Sequence, residues 1–482
     1  MIPQSVVRKI TDYIWEIPKG YKDGMQVPAR FYAKREMFDV IFKDRSLDQL
    51  VNVAHLPGIQ KYAIAMPDMH EGYASPIGGV AGIDAETGII APGMTGYDIN
   101  CGVRLIKTPL FYDEIKNHLD ALATQIQKDV PSGLGKGRNI KLSNKEMDEI
   151  LEGGAPLVIK KGYGIEDDIE SCENNGFISW ADSSCVSSRA KDRGKDQFGT
   201  LGSGNHFLEV QRVDEVFDEK IATIFGLKKD QVVIMVHCGS RGVGHQVCSD
   251  YLREFIPLME NKYKIKVPDR EFACVPFRTE YGQRYFKAMA AAANFAFANR
   301  QFILHYIRKS WQKIIGGKYE DLKLLYDVAH NIVKKEKYII DGKEKELIIH
   351  RKGATRAFPP GNEEIPAKYR ETGQPVLIPG SMGTASYVLV GVETGEQSFF
   401  TTCHGAGRTM SRHQAIRTKH GRDVVKDLEE QGIIVKCWSF RGIAEEAPYA
   451  YKDIENVVDV VHNAGLSKKV ARLRPIAVVK GE

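Results

Sequence analysis

The sequence predicts an α/β fold: one intertwined domain of mixed sheets and helices over residues 1–482. Three observations carry that prediction. Apolar runs of strand length recur from residue 61 to residue 479, and most end in a polar residue set among glycines. A long helical pattern covers 283–315 and stops at Gly316-Gly317. The polar strand ends are spread from residue 68 to residue 480, so no small separable domain contains them. Side chains placed at strand ends are a common way for such a fold to build one converging site.

In chain order, residues 61–66 read as a strand that ends at Pro67-Asp68-Met69-His70-Glu71-Gly72. The glycine- and proline-rich run 90–95 reads as a turn, and 103–106 as a short strand. From about residue 113 to 152 the pattern is helical and charged, broken by Pro131-Ser132-Gly133. Residues 153–193 are glycine-rich and polar, with an acidic cluster at 166–170. Together, roughly 113–195 is expected to be a surface-exposed, partly helical insertion. The uninterrupted apolar run 231–236 fits a strand buried on both faces. On the long helix, Ile303, Ile307, Trp311 and Ile314 fall at helical spacing and form a core stripe. Further strands are expected at 324–328, 376–378, 398–402 and 476–479, with a hairpin turning at Asp341-Gly342.

Composition bounds the function classes. Hydrophobic residues at 43% and charged residues at 27% suit a soluble globular chain with a sizeable core. A net charge of +5 permits a nucleic-acid partner without requiring one. No run is apolar enough to span a bilayer or to serve as a signal peptide, and the eight cysteines form no CxxC pair. Three of them, Cys101, Cys238 and Cys403, sit beside glycine- or histidine-rich loops, which points to a reducing cytoplasm.

The chemistry concentrates in a few loops. In Gly96-Tyr97-Asp98-Ile99-Asn100-Cys101-Gly102, a carboxylate and a thiol share a tight turn, a combination suited to a divalent metal. Alone, that stretch fits a buried structural cysteine and a turn-capping aspartate better than a metal site. His206, His237 and His330, each in a loop after or before an apolar run, shift the balance toward a metal site. A mixed oxygen, nitrogen and sulfur set suits manganese, zinc or iron, and five candidate ligands suggest two ions with a bridging group. In His404-Gly405-Ala406-Gly407-Arg408, free backbone N–H groups and an arginine can grip phosphate. GxxxxGK[ST], KxDG, HExxH and GxSxG are all absent, which disfavours P-loop ATPases, lysine-nucleophile ligases, zincins and α/β-hydrolases.

Five segments, in order, resemble the RtcB family of GTP- and manganese-dependent RNA-splicing ligases. They are Asp98-Ile99-Asn100-Cys101-Gly102-Val103-Arg104, Gly202-Ser203-Gly204-Asn205-His206-Phe207, His237-Cys238-Gly239-Ser240-Arg241-Gly242, Pro379-Gly380-Ser381-Met382-Gly383 and His404-Gly405-Ala406-Gly407-Arg408. The resemblance implies a single catalytic domain with metal and nucleotide ligands at strand ends. It implies Cys101 bridging two Mn2+, one completed by Asp98 and His206, the other by His237 and His330. It implies His404 as the nucleophile that takes GMP from GTP. Guanylate contacts implied in the same way are Asn205, His206, Phe207, Leu208, Glu209, His330, Asn331, Pro379, Gly380, Ser381, Met382, Ser386, His404, Gly405, Ala406, Gly407, Tyr451 and Lys480. Arg241, Lys352 and Arg408 are expected at RNA or phosphate on charge and position. The implied reaction joins a 2′,3′-cyclic phosphate or 3′-phosphate RNA end to a 5′-hydroxyl, in transfer-RNA splicing or RNA repair. An archease-type activator is a possible partner. The competing reading is a two-metal phosphoesterase acting on cyclic phosphates, for which His404 and a guanine pocket would have no use.

Overall fold

Two large sheets and one long helix organise the chain, whose computed structural model describes residues 1–133, 140 and 142–480. A seven-stranded sheet runs in the order Arg8–Lys9, Ile14–Ile17, Ala29–Tyr32, Ile59–His70, Ile77–Asp84, Lys343–Lys352, Asn331–Ile340. An eight-stranded sheet follows the path Lys323–Ala329, Gly102–Phe111, Gln231–Cys238, Phe207–Val216, Ser467–Lys480, Ser386–Gly391, Pro375–Ile378, with Ile434–Cys437 laid parallel beside Ser467–Lys480. Along that path every neighbouring pair is antiparallel.

Gln231–Cys238 is buried at every residue, as its unbroken apolar run requires. Alternate side chains enter two different cores. Val232, Ile234 and Val236 pack with Ile303, Ile307 and Trp311 of the helix, while Val233 and Met235 pack with Leu325, Tyr326 and Leu377 on the other face. The helix, Glu280–Ile314, starts where the Thr279 hydroxyl accepts the Gly282 N–H (3.3 Å) and ends before Gly316 and Gly317, both left-handed. Beyond the apolar stripe it also buries charge. Arg300 donates to Asp327 (2.7 Å), to the carbonyls of Asn100 and Cys238 (2.8 Å each) and to the Asn100 side chain (3.1 Å). Asp327 also accepts from Arg104 (2.7 Å), so the carboxylate lies between two buried guanidiniums. Removing one member of such a buried network costs about 3–5 kcal/mol.

Three expectations are corrected. The exposed insertion expected over 113–195 is not what its described residues form; residues 134–139 and 141 lie outside the described set. Helices Leu119–Asp129 and Asn144–Lys160 bury Leu122, Ile126, Met147, Ile150, Leu151 and Ala155, packing on the long helix. Asp168, from the acidic cluster, is buried in a two-pronged pair with Arg308 (2.6 and 2.7 Å), and Glu173 is buried against Lys334 and Arg356. Second, the first expected strand does not stop at Pro67. Ile59–His70 continues through it, and the ladder to Ile77–Asp84 breaks between Ala65↔Gly79 and His70↔Ile77. Proline is tolerated at such a bulge because it has no N–H to pair, and the bulge re-aims the next side chain, Asp68.

The run 398–402 is likewise a tight turn leading into a short strand. Phe399 and Phe400 both take left-handed backbone (φ 55° and 44°), and Thr401–Cys403 then pairs with Ala354–Arg356. Left-handed backbone at bulky residues costs on the order of 1–3 kcal/mol each and persists only where the surroundings enforce it. Here the Phe399 carbonyl accepts from Arg351 (3.0 Å) and Tyr338 (3.1 Å).

Candidate active site

One edge of the eight-stranded sheet carries the metal candidates. Its register sets Ala329 opposite Gly102, Gly102 opposite Cys238, Val103 opposite His237, and Phe207 opposite His237. The residues at or just past these ends are His330, Cys101, His237 and His206, so four strands deliver four ligands in one row. Lys480, at the end of the next strand, lies opposite Phe207 and extends the row. The alternation of antiparallel strands explains the spacing: the row uses the start of one strand and the finish of its neighbour.

The ligand atoms converge. Asp98, Cys101 and His206 form one group and Cys101, His237 and His330 another, with ligand atoms within 4.8 Å of one another in each. Cys101 Sγ lies 3.4 Å from His206 Nε2 and 3.2 Å from His237 Nε2; His237 Nε2 is 3.1 Å from His330 Nε2. His206 Nδ1 is 3.0 Å from the Leu201 carbonyl, which accepts its proton and turns Nε2 toward Asp98 Oδ2 at 2.8 Å. Burial holds His237 and His330 well below the ordinary histidine range, so both are neutral and offer lone pairs. Burial also opposes charge on His206, yet the neighbouring Cys101 and Asp98 outweigh it and hold that ring well above its ordinary range. Burial and Asp98 push the Cys101 thiol up to about 12. Desolvation is the larger cause at Cys101, so the buried thiol keeps its proton unless a cation takes its place, and a bound metal ion would do so. The donor set of one carboxylate, one sulfur and three imidazoles fits a transition metal.

His404 approaches from the other side, directly after Thr401–Cys403, with its ring 5.2 Å from that of His330. Its partner is Asp68, the residue aimed inward by the Pro67 bulge. Asp68 Oδ2 accepts from His404 Nδ1 (2.6 Å) and from the backbone N–H groups of His404 (3.0 Å) and Gly405 (3.3 Å). Burial works against the Asp68 carboxylate, but the His404 ring and these donors outweigh it and hold it below the usual range. With Nδ1 protonated toward Asp68, the Nε2 lone pair is available to the cleft. Sequence reading missed Asp68 because its partner lies 336 residues away. Its only local signal is a proline next to an acid.

The cleft of about 560 Å³ has the size of a nucleotide pocket. Of the expected guanylate residues, Asn205, His206, Phe207, Asn331, Pro379 to Met382, His404 to Gly407, Tyr451 and Lys480 line it. Leu208, Glu209, His330 and Ser386 lie behind the lining. Leu208 belongs to the apolar core beneath the sheet. Glu209 and Ser386 are joined through Gln211, whose Nε2 donates to both (2.7 and 3.0 Å), and Ser386 Oγ accepts the Gly380 N–H (3.1 Å). That chain pins the Pro379 to Met382 loop from below. Burial drives Glu209 up to about 8 and Lys480 down to about 8, so near neutral pH Glu209 is largely protonated while Lys480 keeps most of its charge.

The three expected RNA-contacting cations fare differently. Arg241 and Arg408 line the cleft; Lys352 does not. The Lys352 ammonium is buried and donates to the carbonyls of Tyr73, Ser75 (3.1 Å) and Gly93 (3.1 Å), which directs it away from any substrate. Arg241 donates to the Gly133 carbonyl (2.9 Å) and stands behind His206. Arg408 is paired with Glu446 (2.9 Å), a buried carboxylate that also accepts from Arg412 (2.9 Å) and Tyr451. Glu446 and Arg412 escaped sequence reading because neither lies in a glycine-rich loop.

Comparison with known proteins places this geometry in context. A family model described as tRNA-splicing ligase RtcB matches residues 49–481. The tRNA-splicing ligase RtcB of Archaeoglobus fulgidus is 52% identical over 481 residues, covering 99% of both chains. That of Thermococcus kodakarensis is 52% identical over 484 residues, covering 100% of this chain and 99% of the relative. The RNA-splicing ligase RtcB of Mycobacterium tuberculosis is 48% identical over 436 residues, covering 90% of this chain and all of its own.

Proposed function

The chain belongs to the RtcB family, and from that premise we propose that it is a GTP-dependent ligase joining RNA 3′-phosphate or 2′,3′-cyclic phosphate ends to 5′-hydroxyl ends. The observation that carries this reading is the His404–Asp68 pair beside the metal candidates. In the first step His404 Nε2 attacks the α-phosphorus of GTP. A nitrogen–phosphorus bond forms, the bond to the pyrophosphate oxygen breaks, and pyrophosphate leaves. The Nδ1 proton stays in the hydrogen bond to Asp68, whose negative charge offsets the positive charge developing on the ring. The Gly405 to Gly407 backbone and the Pro379 to Met382 loop hold the nucleotide, with Lys480 and Glu209 beneath it. In the second step an oxygen of the RNA 3′-phosphate attacks the same phosphorus and expels the imidazole. In the third, the 5′-hydroxyl attacks the RNA 3′-phosphorus and GMP departs. A cyclic phosphate end is first opened by hydrolysis. Asp98, Cys101 and His206 would hold one manganese ion and Cys101, His237 and His330 a second, which supply charge neutralisation at phosphate oxygens when bound.

The test is strand polarity. RNA carrying a labelled 3′-phosphate should join a 5′-hydroxyl partner with the label retained at the junction, and labelled GTP should mark the protein covalently unless His404 is replaced by alanine. Joining of a 3′-hydroxyl to a 5′-phosphate end, or loss of the junction label, would overturn the proposal. Hydrolysis of cyclic phosphate without any GTP labelling would point to the phosphoesterase instead.

A further inference from the structure

The cleft opens onto a surface with an unusual composition. From residue 408 to 422 the chain holds five cationic side chains, Arg408, Arg412, Arg417, Lys419 and Arg422, and no Asp or Glu. Arg408 and Arg412 line the cleft and are tied to Glu446; Lys419 is paired with Asp427. Arg417 and Arg422 are different. Both are exposed, and among the described residues neither has a carboxylate partner. The Arg422 guanidinium lies over the Phe440 ring at 5.3 Å.

Two large exposed apolar side chains follow in the chain: Trp438 is 70% exposed, and Phe440, under the Arg422 guanidinium, is 46% exposed. By contrast, Trp15 and Trp311 are buried. Trp438 is held in place by the sheet. Ile434–Cys437 runs parallel to Ser467–Lys480 with Cys437 opposite Lys480, so Trp438 is the first residue beyond the register position of the cleft lysine. Close by in the chain, His420, Arg422, Phe440 and Arg441 line a hollow of about 550 Å³ together with one carboxylate, Asp423. Arg417 shares a helix, Arg412–Thr418, with the cleft-lining Arg412, and Trp438 follows a strand that ends level with the cleft lysine. Unpaired guanidiniums and exposed aromatic rings placed so form a combination that binds single-stranded nucleic acid, in which cations follow the backbone and rings stack on bases.

We propose that this face is the track along which single-stranded RNA enters the cleft, with Arg417 and Arg422 on its phosphates and Trp438 stacked on one of its bases. The choice of RNA as the polymer rests on the ligase reading; the track itself rests on charge, exposure and the strand register. A protein partner would need these rings to be covered, and nothing in their charged surroundings favours that.

The test uses the full chain and a fluorescein-labelled single-stranded RNA of about twelve nucleotides. Binding should quench intrinsic tryptophan fluorescence. Trp438→Ala should remove most of that quenching and weaken binding about fivefold or more, while Trp438→Phe, which keeps a stacking ring, should restore most of the affinity. The Arg417→Ala/Arg422→Ala double variant should flatten the slope of log K against log salt by about 1.4, at about 0.7 per phosphate on a single strand. Covalent labelling by GTP should be unchanged in all three variants. An affinity within about twofold of the parent for Trp438→Ala, with quenching retained, overturns the track and leaves the face to a protein partner. Failure of the parent chain to label with GTP, with RNA affinities falling as expected, would sink the ligase chemistry and leave the track standing.

Discussion

Replacing Asp68 with asparagine tests the centre of the proposed chemistry with the smallest change in shape. The carboxylate oxygen that faces His404 Nδ1 at 2.6 Å also receives the backbone N–H groups of His404 and Gly405, so an amide will keep its oxygen at that position. The ring therefore stays hydrogen-bonded, and what is lost is the negative charge. During attack on GTP the imidazole gains about one unit of positive charge, because Nε2 forms a bond while Nδ1 keeps its proton. Opposite charges about 4 Å apart attract by about 4 kcal/mol at an effective dielectric constant of about 20. The amide dipole recovers part of that, leaving a loss of roughly 2–4 kcal/mol, or about 30- to 1,000-fold in rate. The amide nitrogen also takes the place of Asp68 Oδ1, which has no hydrogen-bond partner, so the fold should lose little. The assay is single-turnover labelling of the protein by radioactive GTP, with thermal unfolding followed in parallel. A labelling rate within about threefold of the parent, at unchanged stability, would refute the argument that Asp68 compensates charge on the nucleophile.

The remaining predictions are more local. Cys101→Ser should reduce metal binding at both candidate positions and His330→Ala mainly at one, read by metal titration; two tight sites persisting in the serine variant would rule out a shared thiolate. Gly202→Ala should abolish metal binding or destabilise the chain. Its backbone is left-handed (φ 101°), and the new methyl would lie 2.1 Å from Arg241 Nη1 and 2.7 Å from His206 Nδ1; a variant with normal metal content and melting temperature would contradict this. Glu173 is opposed by burial but held down to about 2 by Lys334 and Arg356, so its folded value lies below its unfolded one and its contribution to stability is present above about pH 4.5. That contribution should fade as pH falls from about 4.5 toward 2, and Glu173→Gln should flatten this acid limb in unfolding curves while costing about 3–5 kcal/mol at neutral pH. Burial pushes Lys334 itself down to about 8, so Arg356 is the lasting cation of the group.

What could be read from sequence was whatever announced itself locally. Asp98, Cys101, His206, His237, His330 and His404 each follow or precede an apolar run and sit among glycines, and the structure gathers them around one cleft. The 231–236 run and the 303, 307, 311 stripe also had the period of their elements, and both are buried. What stayed hidden were partnerships between distant charges. Asp168 looked like part of a solvated acidic cluster because its mate, Arg308, lies 140 residues away on the long helix. Lys352 looked like an RNA or phosphate contact because a lysine aimed at backbone carbonyls has the same local sequence as one aimed at a phosphate. Asp68 looked like a turn because a proline stood before it, and only the strand partner reveals the bulge.

The position of the last strand has a consequence for synthesis. Ser467–Lys480 lies inside the eight-stranded sheet, between Phe207–Val216 and Ser386–Gly391, and is hydrogen-bonded to both. Every metal candidate and His404 will have been translated before this strand leaves the ribosome, yet the sheet that holds His206 cannot close without it. A polypeptide halted upstream of residue 467 would carry the nucleophile and all five metal candidates, but would leave Phe207–Val216, the strand that follows His206, as an open, unpaired edge. Such a product should aggregate or be degraded before it could label itself with GTP. The topology thereby makes activity a report on the completed chain, and no partial ligase should accumulate during translation.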